Sequence, residues 1–165
     1  MMANTELKPN TVLLGERNYE AALNLVIAKA QYELLIFDQD LSHGDYASLQ
    51  RIELIQQFLN TTPLSKLTII VQTSEFFVNK CPKLFGLLKL YGHKITVYET
   101  NSTAKIAKDC FVIADGLHYL RRFHIDQARF KYAFDDVEEC ANLNKRFDEL
   151  MAETAEAVSV TKLVL

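Results

Sequence analysis

The apolar positions of this chain change period several times, and each change marks an element. Tyr19, Ala22, Leu23, Val26, Ile27 and Ala30 recur at spacings of three and four, which predicts a helix with one buried face. Leu34-Leu35-Ile36-Phe37 is instead an unbroken apolar run bounded by charge, the pattern of a strand covered on both faces and therefore central. Leu49, Ile52, Ile55 and Leu59 trace a second helix with Pro63 beyond its exit, and Leu67–Val71 is a further buried strand. A helical region broken near Cys81-Pro82 then carries Leu84, Leu87, Leu88 and Tyr91, with Gly92 placed to cap its C-terminus. Ile95–Tyr98 supplies another strand. Such alternation implies parallel strands joined by right-handed crossovers.

After this point the organisation changes. Phe111–Ala114 reads as a strand, Asp115-Gly116 as a two-residue hairpin turn, and Leu117–Phe123 as the returning strand. Ala128–Phe134 is one more strand. Asp136, with Glu139 three residues on, resembles a capping box that opens a helix striped by Cys140, Leu143, Phe147 and Leu150 and acidic outside. Thr11–Leu14 is short enough for an edge strand. The expected fold class is α/β: a single domain over residues 11–157, its mixed sheet made of parallel βαβ units followed by an antiparallel hairpin and flanked by helices. Residues 1–10 are polar and expected to be mobile. The partly apolar tail, 158–165, is expected to lie along a sheet edge or against a partner.

Composition narrows the function classes. At 165 residues, 49% hydrophobic and 24% charged, the chain can bury one substantial core but not two. A net charge of -3 and a pI near 5.8 argue against a general attraction to polyanions, so nucleic acid is not an expected partner, although a local basic patch is compatible with them. Cys81, Cys110 and Cys140 form no paired motif, which points away from a disulfide framework or thiolate zinc and toward a reducing cytoplasm. No run reaches the roughly 18 apolar residues of a membrane span, and MMANTELKPN contains no leader-like stretch. The histidines, His43, His93, His118 and His124, show no ligand spacing, and no cofactor is expected.

Candidate chemistry lies in two places. The segment Lys108–Asp135 gathers Arg121, Arg122, His124, Arg129 and Lys131, and guanidinium groups grip phosphate or carboxylate through paired donors. On a strand Arg121 and Arg122 point to opposite faces, so only one of them can share a pocket with His124 and with Arg129 or Lys131. The competing reading is a set of solvated cations pairing with the acidic last helix. Asp38 and Asp40 follow a buried strand, where open α/β sheets place ligands. Four apolar residues before D-x-D resemble the nucleophile motif of haloacid dehalogenase-type phosphatases, with Asp135-Asp136 as a later acidic pair beside magnesium. Against this, Leu41 stands where glycine or threonine is expected, and no lysine motif follows. Aspartates in such positions commonly cap the next turn instead.

Phe37-Asp38-Gln39-Asp40-Leu41, CPKLFGLLKLYGH, and FVIADGLHYLRRFHID followed by RFDEL together resemble an uncharacterised proteobacterial family of phospholipase D-like domains, from residue 11 to the end. The resemblance implies that fold, an acetyltransferase as protein partner, and a homodimer, since phospholipase D-like halves commonly build one site from two copies. The catalytic pattern of such enzymes is H-x-K-x4-D. With Asp115 on its aspartate, Lys108 stands at the histidine and Cys110 at the lysine, and the later G-S-x-N segment falls near Arg122 and Phe123. A phosphohistidine intermediate needs an imidazole with a pKa near ~6.5, for which lysine is a poor substitute. The resemblance implies a degenerate, non-catalytic module, and the local excess of positive charge adds the expectation that it binds an anionic, phosphate-containing ligand through Arg121, Arg122, His124 and Arg129, or a protein partner. The alternative is a magnesium-dependent phosphatase using Asp38 and Asp40.

Overall fold

The computed structural model describes residues 7–101 and 106–158. Its elements run β1 (Leu13–Leu14), α1 (Glu16–Lys29), β2 (Glu33–Asp38), α2 (Leu49–Leu59), β3 (Lys66–Val71), α3 (Glu75–Lys80), α4 (Pro82–Leu90), β4 (Ile95–Thr100), β5 (Cys110–Ala114), β6 (His118–His124), β7 (Gln127–Ala133), α5 (Val137–Met151) and β8 (Thr154–Ala157). They build one sheet of eight strands in the order β1-β7-β6-β5-β2-β3-β4-β8. β2, β3 and β4 are parallel, as the βα alternation requires, and every other pairing is antiparallel.

The unbroken apolar run of β2 is explained by its position between two cores. Leu34 and Ile36 pack with α1, α2, α3 and α4 on one face, whereas Leu35 and Phe37 pack with Cys140, Leu143, Phe147 and Leu150 of α5 on the other. A strand buried on both faces cannot alternate polar and apolar residues. Single-residue parity on every central strand therefore decides which core, and which possible site, a side chain joins.

Several local expectations are refined. Asp115 and Gly116 both take positive φ, 57° and 66°, and Leu117 N–H closes the turn on Ala114 O at 3.0 Å. The loop is three residues long, because Ala114 pairs with His118. Only half of the capping box forms: Asp136 accepts from Glu139 N–H at 3.0 Å, while its own N–H bonds Leu117 O at 2.9 Å. Gly92 does not take a left-handed C-cap conformation. Tyr91 ends α4, with its N–H on Leu87 O, and Gly92 sits close to the helix end, where a Cβ would make a tight 3.2 Å contact with Leu88 O.

Of the segment 1–10, residues 7–10 are described and are held to β7: Tyr132 Oη donates to Leu7 O at 2.9 Å and Asn10 N–H to Tyr132 O at 2.8 Å. At the far edge β8 pairs with β4, and Val158 N–H bonds Val97 O at 2.7 Å. The remaining tail, 159–165, and residues 1–6 lie outside the described residues. Among the described residues, no helix is long and apolar enough to cross a membrane.

Candidate anion-binding groove

β6 divides the basic cluster as strand parity demands. Arg122 points with Leu120 toward α1 and is completely buried. Its Nη1 and Nη2 each donate to a Glu16 carboxylate oxygen at 2.7 Å. Nε reaches His124 O at 3.2 Å, Nη2 also reaches Ile125 O at 2.8 Å, and the guanidinium lies 4.8 Å from the Tyr19 ring centre. Burial works against the Arg122 charge, but the Glu16 hydrogen bonds and charge outweigh it and hold its pKa above the ordinary value. The Arg122 hydrogen bonds hold the Glu16 carboxyl below its usual range. This arginine is an internal tie between β6 and α1, committed to the chain itself through four hydrogen bonds.

Arg121 points the opposite way, toward α5. It pairs across β7 with Lys131, and Arg129 lies two residues from Lys131 on the same face. Arg121 Nε donates to Asp109 Oδ2 at 2.9 Å. The same carboxylate accepts Arg146 Nη1 at Oδ2 and Nη2 at Oδ1. Desolvation pushes the Asp109 carboxyl up, but the hydrogen bonds and charges of Arg146 and Arg121 together prevail and leave it low. One carboxylate thus serves two guanidiniums, and the trio keeps a net positive charge. Phe123 holds Arg121 at 5.2 Å and Arg129 at 5.4 Å from its ring centre. Among the described residues, Arg129 and Lys131 have no carboxylate within ion-pair distance.

Between this cationic face and the start of α5 runs an open groove of 440 Å³, lined by Tyr119, Arg121, Phe123 and Lys131 from the sheet and by Glu138 and Glu139 from the helix. Tyr119 forms the floor. Burial pushes its phenol up to about 12, with the Glu139 and Asp136 carboxylates adding to the rise and Arg121 opposing it. It therefore stays a neutral O–H donor at physiological pH.

The other candidates are placed elsewhere. His124 follows an irregularity in the β6–β7 pairing, where its Nδ1 accepts Asp126 N–H at 3.1 Å. Asp38 ends β2 on the Arg122 face and is only 3% exposed. Its Oδ1 accepts Gln39 N–H at 2.6 Å, and desolvation raises its pKa to about 7. Asp40 closes a turn, accepting Ser42 N–H at 2.9 Å and Ser42 Oγ at 2.6 Å. Leu41, with φ 70°, is buried rather than opening a phosphate loop. The sheet brings neither aspartate to the groove.

Nor does it bring them to Asp135-Asp136. Leu34, at the start of β2, pairs with Ala114, which pairs with His118, and Asp135 N–H bonds His118 Nδ1 at 3.1 Å. The second acidic pair therefore sits at the N-terminal end of β2, with Asp38 at the opposite end of the same strand. Among the described residues, no group of three or more His, Cys, Asp or Glu side chains is placed to hold a metal ion.

At the positions aligned with the phospholipase D pattern, Cys110 is buried with its Sγ 3.4 Å from Tyr19 Oη, and burial pushes its thiol far up. Lys108 is exposed, and its carbonyl accepts Ile125 N–H at 2.8 Å. The Asp115 carboxylate accepts the backbone N–H groups of Gln31, Tyr32 and Glu33 at 2.8–2.9 Å. Sequence reasoning missed Glu16, Asp109, Arg146 and Tyr119. Asp109 lies inside the basic segment, and its place directly before a buried strand was the one available signal.

Solved structures share this fold. TrmBL2, an archaeal chromatin protein described as showing a novel mode of DNA binding, matches with TM-score 0.65 at 15% identity over 87% of this chain and 52% of its own. This chain thus spans about half of that protein. Nuc, a phospholipase D family member from Salmonella typhimurium, matches with TM-score 0.64 at 7% identity over 90% of this chain and 99% of its own. NucT from Helicobacter pylori matches with TM-score 0.60 at 16% identity over 88% and 96%. No curated protein sequence matches significantly. The fold is therefore phospholipase D-like. A family model matching residues 15–163 then assigns the sequence, and the chain belongs to the family described as Domain of unknown function (DUF7931).

Proposed function

We propose that this chain is a non-catalytic phospholipase D-like module that binds an anionic, phosphate-containing group on the β6–β7 face, through Arg121, Arg129 and Lys131 around Phe123. The observation that carries this reading is the pair of cations, Arg129 and Lys131, left without carboxylate partners among the described residues beside a groove of ligand size. Arg122 belongs to the fold in this reading, since it is completely buried and gives four of its five N–H donors to Glu16 and two carbonyls. Loss of catalysis is supported by the aligned motif positions. A buried thiol with a raised pKa is a poor nucleophile, and a lysine in place of the histidine lacks the imidazole that would form a phosphohistidine.

Thermal unfolding with and without inorganic phosphate tests the binding. Phosphate should raise the melting temperature, because a ligand bound only by the folded state stabilises it by mass action. The rise should disappear in Lys131→Ala and shrink in Arg129→Ala, while Lys83→Ala, an exposed change on α4, should keep it. An equal rise in all four proteins, or none in the parent, would overturn the reading.

A further inference from the structure

The two walls of the groove carry opposite charge, yet among the described residues no ion pair joins them. On the sheet wall, Arg121 gives only Nε to Asp109, which leaves both terminal nitrogens to the groove beside Lys131. On the helix wall, Asp136 holds the Glu139 N–H, Glu139 accepts a long hydrogen bond from Asn142 at 3.4 Å, and Glu138 is exposed. Between them lies Tyr119, 97% removed from solvent, whose hydroxyl finds no hydrogen-bond partner among the described residues. The ring is buried while the hydroxyl faces the open groove, which leaves it available to a ligand atom.

A simple anion would meet favourable charge on one wall and three carboxylates on the other. A simple cation would meet the reverse. We propose that the groove binds a small zwitterion, which presents an oxyanion to Arg121 and Lys131 and a protonated amine to Glu138 and Glu139, with the Tyr119 hydroxyl donating to it from the floor. The separation that keeps the walls from neutralising each other becomes the spacing of the two charged ends. At 440 Å³ the groove suits a molecule of small-metabolite size. This inference rests on the anion-binding reading of the same wall and adds the second charge to it.

Calorimetric titration of the full chain with aminohexanoate and aminopropyl phosphate, against hexanoate, inorganic phosphate and propylamine, separates the two readings. Each zwitterion should bind at least about tenfold more tightly than its singly charged relatives, as an additional charge-assisted contact gives. The double variant Glu138→Gln/Glu139→Gln should erase that advantage and strengthen inorganic phosphate. It should still fold, because the helix start is capped by the Asp136 side chain and not by Glu139. Lys131→Ala should weaken every oxyanion. If inorganic phosphate binds the parent as tightly as aminopropyl phosphate does, the zwitterion inference falls and the anion reading stands. If neither binds, both fall.

Discussion

Asp38 shows how far burial can change the meaning of a residue whose type looks catalytic. Its carboxyl, 3% exposed among Tyr19, Tyr46 and Cys110, has a pKa raised by desolvation from 3.8 to about 7. Between those values the folded protein holds a proton on Asp38 that the unfolded chain has released, so stability falls as pH rises through this window and the loss is complete above it. At 1.36 kcal/mol per unit the loss is on the order of 4 kcal/mol. Asp38→Asn keeps an oxygen for the Gln39 N–H and removes the charge. Urea unfolding should find the variant several kcal/mol more stable than the parent at pH 8 and equal to it at pH 4. A gain independent of pH would show that the Asp38 charge is not the cause. The D-x-D spacing was visible in the sequence, but the depth of its first aspartate was not. Depth follows from Tyr19 on α1 and Tyr46 after β2 closing over the strand end, which no local pattern records.

Among the elements, the Asp115-Gly116 turn carries more than a change of direction. The Asp115 carboxylate takes three backbone N–H groups from Gln31, Tyr32 and Glu33 and so fixes the α1–β2 connection against the β5–β6 turn. Hydrogen bonds to a charged acceptor contribute about 1.5–3 kcal/mol each when well formed, and less where the site is open to water as here. Asp115→Ala should therefore destabilise by about 2–4 kcal/mol in denaturant unfolding, and Asp115→Asn, which keeps one oxygen, by roughly half as much. Equal small losses in both would mean that solvent replaces the bonds. Helices and central strands were legible from hydrophobic period because period records which faces a segment buries: α1, β2, β3 and α5 each bury the expected faces, whereas α2 buries Ile52, Ile55 and Leu59 as expected but leaves Leu49 exposed and buries Arg51 and Phe58 instead. Terminations were less legible. Gly92, the second half of the capping box and the edge strand β8 all depend on neighbours distant in sequence.

Across the whole molecule, the cations of β6 and β7 could be read from the sequence but the partners that hold them could not. Arg122 finds Glu16 across 106 positions, and Asp109 joins Arg121, 12 positions on, to Arg146, 37 positions on. Parity on one strand sends two adjacent arginines into different layers, one to hold α1 and one to line a groove under α5. The sheet also keeps apart what a phosphatase would need together, since Asp38 and Asp40 leave the C-terminal end of β2 while Asp135 and Asp136 sit beyond its start. From these separations, the purified chain should hydrolyse neither a chromogenic phosphate monoester nor a diester, whether magnesium or chelator is present. Monoester turnover that requires magnesium and disappears in Asp38→Asn would restore the phosphatase reading. Diester turnover that resists chelator and disappears in His124→Ala would instead show that an imidazole outside the aligned motif had taken over as nucleophile. Either result would overturn the proposed role in binding alone, because each reaction needs a reactive group that the buried Cys110 thiol does not provide.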